Sequence, residues 1–259
     1  MKNKILATCL ISTVAFSSYA TTAQELNADR EENMQILESM GLPRFGGGIK
    51  VVPRSQLGLP KEVLESGAKE FKQRKTLGYV EKDMPYASKL LGMDKVGPIN
   101  IKQNLTSNND QGTHLRMSAR NLKLAFNFKG VESDDLLLHE NNNIKVIGVA
   151  PQGAFNKENG GWSGAAQFFS VNNLGVCSYG VMNVKASGTS TMLAMEDVTY
   201  EIHDKATLTK VEGSKSSGFI YKVKWYDDVN FHELECANSN FAPQIEQDVI
   251  NLAKKIDRV

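Results

Sequence analysis

Cysteine is scarce: the 259-residue chain has three, Cys9, Cys177 and Cys236, and no C-x-x-C pair among them. That spacing argues against the compact zinc arrangements, which announce themselves by closely set ligand pairs. Histidine is nearly as rare. His114, His139, His203 and His232 stand far apart with no H-x-x-x-H, so no local metal or general-base motif is written in the chain. An excess of one charge is missing too: 30 Lys and Arg face 29 Asp and Glu, and no basic stripe forms. Nucleic acid is therefore not an expected partner.

Nucleotide-binding signals are equally lacking. Gly46, Gly47 and Gly48 are not followed by G-K-[ST] and do not open a G-x-G-x-x-G, so they read as a flexible turn. The stretch GGWSGAA, residues 160–166, approaches a nucleophile elbow but has Ala165 where glycine is required, and it reads as a loop leading into a strand. Ser163 is thus not expected to be a nucleophile. Met192 and Met195, soft enough for copper, read as packing. The adjacent acids Glu31 and Glu32, Asp134 and Asp135, and Asp227 and Asp228 read as solvated turns rather than as a raised-pKa acid with its partner. No catalytic residue, metal or cofactor is expected.

What is present begins with place. MKNK is basic, ILATCLISTVAF is apolar, and SSYATTAQE offers small residues suited to cleavage after Ala20 or Ala23. This is the layout of a secretory signal peptide over residues 1–20, and a run of this length is too short for a membrane anchor. Cys9 has Thr8 before it and lies near the start, which argues against lipidation. Lys2 and Lys4 leave with the signal, so the mature chain carries a formal charge of −1. After it no apolar run reaches membrane-spanning length, and no transmembrane segment is expected.

Cys177 and Cys236 then remain alone, most simply as one disulfide in an oxidising compartment. A metal site built from both thiols with His232 and a carboxylate, or two free thiols, are the competing readings. In an extended FHELECA, His232, Leu234 and Cys236 share one face and Phe231, Glu233 and Glu235 the other. The two glutamates are expected to face water.

Two unlike regions follow. Residues 24–95 read as a helical N-terminal segment. NADREENMQILESMG sets Met34, Leu37 and Met40 at three-residue spacing before Gly41. LPKEVLESGAKEFKQRKTLG starts at Pro60, puts Leu64, Ala68 and Phe71 on one side, and closes with basic residues before Gly78. A third helix is read through PYASKLLGM. From residue 96 to 259 the period shortens to two, which predicts a mainly antiparallel sheet. Its strands are read in GPINIKQNL, in LRMSARNLKLAFNFKG with Leu122, Leu124, Phe126 and Phe128 on one face, in NNIKVIGVA, in a hairpin of AAQFFSV and GVCSYGVMNV about NNLG, and in VTYEI, ATLTKVEG, GFIYKVKWYD and VNFHELECA.

GFIYKVKWYD alternates most clearly. Phe219, Tyr221, Val223 and Trp225 share a face that is either core or a ligand platform, with Lys222 and Lys224 marking the wet side. The chain ends in a helix over residues 243–258, whose Ile245, Val249, Leu252 and Ile256 form one stripe, to be covered by the sheet or by a partner protein. The expected architecture is therefore α+β. The expected role is that of a non-enzymatic exported protein of a bacterial envelope, periplasmic or associated with the outer membrane. It would be an accessory or structural subunit of an assembly such as a secretion machine, with protein partners. A periplasmic small-molecule or lipid-binding module using Phe219, Tyr221 or Trp225 is the alternative, and a secreted hydrolase the third.

Overall fold

The computed structural model describes residues 48–95, 122–131, 144–156, 160–187, 190–227 and 229–258. The signal peptide, the helix with Met34, Leu37 and Met40, the strand GPINIKQNL, His114, His139, Asp134, Asp135 and Asp228 lie outside them.

Alternating apolar and polar residues build one large sheet. It comprises β2 (Val80–Glu81), β3 (Ile144–Asn156), β4 (Gly161–Val171), β5 (Gly175–Asn183), β7 (Tyr200–Ile202), β8 (Lys205–Ser214), β9 (Gly218–Tyr226) and β10 (Asn230–Asn238). The order is β2-β8-β9-β10-β5-β4-β3, with β7 also on β8. All neighbours run antiparallel except β2 on β8. The β4–β5 hairpin turns at residues 172–174, where Asn173 takes φ 73° as asparagine readily does. A separate parallel pair joins β1 (Gly48–Val52) to β6 (Ser190–Ala194).

Residues 122–131 depart from the expected strand. They make one bridge, Leu124 to Trp162, and otherwise bend, although Leu122 is buried and Phe126 and Phe128 pack on the core. Apolar alternation there reflects inward side chains without a continuous ladder. GGWSGAA also differs from expectation, since it is the start of β4 itself. Ser163 is fully buried and its Oγ accepts the Ala154 N–H at 3.0 Å, closing an irregularity where β3 slips register against β4.

The two faces of β9 set the layers. On one, Phe219, Tyr221, Val223 and Trp225 are buried beneath the last helix, α3 (Pro243–Asp257), with Val249, Leu252 and Ile256 in the same core and Ile245 packed at its margin. Their burial contributes about 1.5–3 kcal/mol for each large side chain. Cys177 and Cys236 are directly paired across β5 and β10 and joined by a disulfide within this core. Near-contact of opposite residues on adjacent antiparallel strands makes such a bridge geometrically accessible.

On the other face, α2 (Pro85–Gly92) and the residue before it bury Met84, Ala87 and Leu90 against Ile147, Val176, Ile220 and Ala237. Farther along, that face carries charge. Lys222 bridges Glu235 at 2.8 Å and Glu212 at 3.4 Å, Lys224 pairs with Glu233 at 2.7 Å, and Lys82 and Lys210 both reach Glu212 at 2.7 Å. Glu233 and Glu235 therefore do not face open water as expected. They are mostly covered, and cross-strand lysines satisfy them.

Helix α1 (Lys61–Leu77) has the predicted ends: Pro60 precedes it, and Gly78 closes it at φ 83° with its N–H on the Arg74 carbonyl. A side chain at Gly78 would also strike the ring of Phe241.

Candidate interaction surface and a polar cavity

His232 has only part of the neighbourhood that FHELECA suggested. Cys236 is spent in the disulfide, and Glu233 and Glu235 project from the opposite face of β10. Among the described residues no group of three or more His, Cys, Asp or Glu is placed to hold a metal ion. The histidine instead lines a cavity of about 320 Å³ together with Tyr179, Lys205, Asp227, Asp257 and Arg258. Its Nε2 lies 3.1 Å from Asp227 Oδ2, and its Nδ1 lies 2.9 Å from Tyr179 Oη.

The protonation pattern follows from the partners. Burial opposes charge on Asp227, yet His232 and the N–H groups of Val229 and Asn230 hold its carboxyl well below the usual range. It accepts, so His232 Nε2 carries the hydrogen. Burial, with Asp257 and Asp227 nearby, pushes the Tyr179 phenol well above its usual range, so its O–H is kept beside Nδ1. Both ring nitrogens are thereby committed to holding the β9–β10 turn against β5.

A second carboxylate binds the end of α3. Asp257 accepts Trp225 Nε1–H at 2.8 Å and Lys205 Nζ at 2.6 Å, and its Oδ2 lies 2.8 Å from His203 Nδ1. Burial works against its charge, but these hydrogen bonds lower its pKa. His203 and Asp204 form the two-residue β7–β8 turn at φ 45° and 64°, which aims the histidine at the helix end. At the start of α3, Tyr221 Oη donates to the Asn240 carbonyl at 2.9 Å and accepts the Ala242 N–H at 2.8 Å. The aromatic stripe thus seats α3 at both ends. Phe219, Tyr221 and Trp225 lie under the helix, where they present no ligand platform, and the stripe of Ile245, Val249, Leu252 and Ile256 is turned to the sheet.

Sequence reasoning passed over Asp257 and Tyr179. One signal was available for the first: an acid in the last turn of a helix opposes the dipole, and Asp257 follows Val249 and Ala253 at four-residue steps on the buried side. Tyr179 carries no such mark, because its role depends on a diagonal neighbour on the paired strand β10, 53 residues away in sequence. Met192 is half-buried in β6, whereas Met195 stands exposed beyond it.

The opposite situation holds at α1. Its inward side is polar: Glu70 pairs with Lys210 at 2.7 Å, and Arg74 Nη2 donates to the Thr209 carbonyl at 2.9 Å. Its apolar stripe faces outward, with Leu64 41% and Phe71 58% exposed and Ala68 exposed between them. Lys75 Nζ sits 4.9 Å from the centre of the Phe71 ring. No residue of α1 is buried. Among the described residues no helix is long and apolar enough to cross a membrane. Neither a protein-family model, nor a curated protein, nor a solved structure matches this chain.

Proposed function

We propose that this chain is an exported protein of a bacterial envelope that works by binding, as an accessory or structural subunit of a periplasmic or outer-membrane assembly such as a secretion machine. The observation that carries the reading is the Cys177–Cys236 bond, buried at the centre of the sheet under α3. A covalent bond in that position ties folding to an oxidising compartment, which agrees with the signal-like start of the sequence. In the cavity, the hydrogen bonds of His232, Asp227 and Asp257 hold a turn and a helix end in place.

The test combines place and company. Cell fractionation, thiol alkylation without reductant, and gentle detergent extraction followed by size separation are expected to find the protein in the envelope. Its cysteines should resist alkylation, and it should migrate in a complex larger than the single chain. A cytoplasmic protein with two alkylated cysteines would overturn export, and migration alone at the mass of one chain would overturn the role of subunit.

A further inference from the structure

The outward stripe of α1 needs cover, and its surroundings indicate of what kind. Leu64, Ala68, Phe71 and Lys75 follow at steps of four, three and four, one side of a helix. Lys61 and Lys72 flank that side and Lys69 lies beyond; these three, with Lys75, are exposed, against exposed Glu62 and Glu65, the latter paired with Lys61 at 3.5 Å. The result is a local excess of positive charge in a chain that is otherwise near neutral. Lys75 Nζ sits over the Phe71 ring, a cation–π contact that sets a positive charge directly beside the apolar stripe. Because Glu70 and Arg74 hold an adjoining side to β8, the helix already presents this face without rotation.

We infer that α1 is a membrane-surface helix, which lays Leu64, Ala68 and Phe71 into the headgroup boundary of an anionic bilayer while Lys72 and Lys75 meet the headgroups. Amphipathic helices with Leu or Phe on one side and lysines beside them lie in the plane of such an interface. The extent of the stripe favours this occupant over a protein. Two large side chains fall well short of the roughly 800 Å² per partner that a stable protein interface buries, whereas a bilayer requires no matching shape and gains from each nearby lysine. A second copy is disfavoured by charge. An antiparallel pair centred on Ala68 would set Lys61 of each chain against Lys75 of the other.

The inference concerns the surface of the folded protein and does not rest on the proposed place or partners, so purified protein tests it separately. The chain as the cell produces it is mixed with phosphatidylcholine vesicles with and without phosphatidylglycerol, and bound protein is measured by co-sedimentation across a salt series. Binding is expected only with phosphatidylglycerol and is expected to weaken as salt rises. Neutralising Lys72 or Lys75 to Gln should weaken it about fivefold each, and Phe71→Ser should lower it on the order of tenfold. Thermal unfolding of each variant should match the parent, because these side chains are exposed. Absence of binding, equal binding to neutral vesicles, or binding unchanged by Phe71→Ser would overturn the inference. So would light scattering that finds a dimer which Phe71→Ser converts to a monomer.

Discussion

Helices α1 and α3 carry nearly the same local instructions and are docked in opposite senses. Each has proline at its start, a basic last turn and an apolar stripe at steps of three and four. In α3 the stripe is buried on the aromatic face of β9 and fastened at both ends by Tyr221 and Trp225. In α1 the corresponding stripe is exposed, and the helix is held by Glu70 and Arg74 on its polar side. The difference teaches that an apolar stripe states a need for cover without saying where the cover lies. The sheet beneath α3 offers aromatic rings; the region of β8 beneath α1 offers Lys210 and a backbone carbonyl, which select the polar side.

The contrast can be broken first from below α3. Replacing Cys177 and Cys236 with serine opens a bridge spanning 59 residues in sequence. On a chain-entropy argument this should cost about 4 kcal/mol in unfolding free energy, read by urea denaturation. A change below about 1 kcal/mol would show that the bridge does not support the core on which α3 sits.

A matched pair of truncations sharpens the comparison directly. Leu252→Ala on α3 removes a buried side chain and should cost about 3 kcal/mol. Phe71→Ala on α1 should change stability by no more than about 0.5 kcal/mol, as exposed substitutions do. Equal costs would mean that Phe71 is covered within the folded chain.

Acid should act on the charged face that anchors α1. Burial opposes charge on Glu212, but Lys210, Lys82 and Lys222 hold its pKa at about 2 against an ordinary 4.5. A lowered folded-state pKa contributes stability above the ordinary value and loses it as pH falls towards the folded one. Stability should therefore decline between pH 4.5 and about 2 by up to roughly 3 kcal/mol. In Glu212→Gln that part of the decline should vanish, with lower stability already at neutral pH because three lysines lose their shared partner. A variant with the same acid profile as the parent would dismiss Glu212 as the titrating group.

Much of the fold was legible in local patterns. Alternation in GFIYKVKWYD assigned both faces of β9, and NNLG located the β4–β5 turn. Proline at residue 243 and the spacing of Val249, Leu252 and Ile256 located α3 and its buried side. The cysteines stood out by their scarcity. Less could be read where alternation and ladder part company, as at residues 122–131, or where a hydroxyl such as Ser163 repairs a register slip. The clamp around Asp257 was the least legible part of the candidate site. Its four members come from a turn, two strands and a helix end, and only long-range pairing brings the other three within 3 Å of Asp257.

From the chain alone came the α+β character, the alternation of the main strands, the ends of α1 and α3, and the paired fate of two isolated cysteines. These are short-range properties, set by backbone period, by turn residues and by composition. Which side of α1 meets β8, the parallel pairing of β1 with β6, and the joint duty of Tyr179, Asp227 and His232 arose only on folding. Each depends on what a distant segment presents, and side-chain period along one element contains no record of its neighbour's surface.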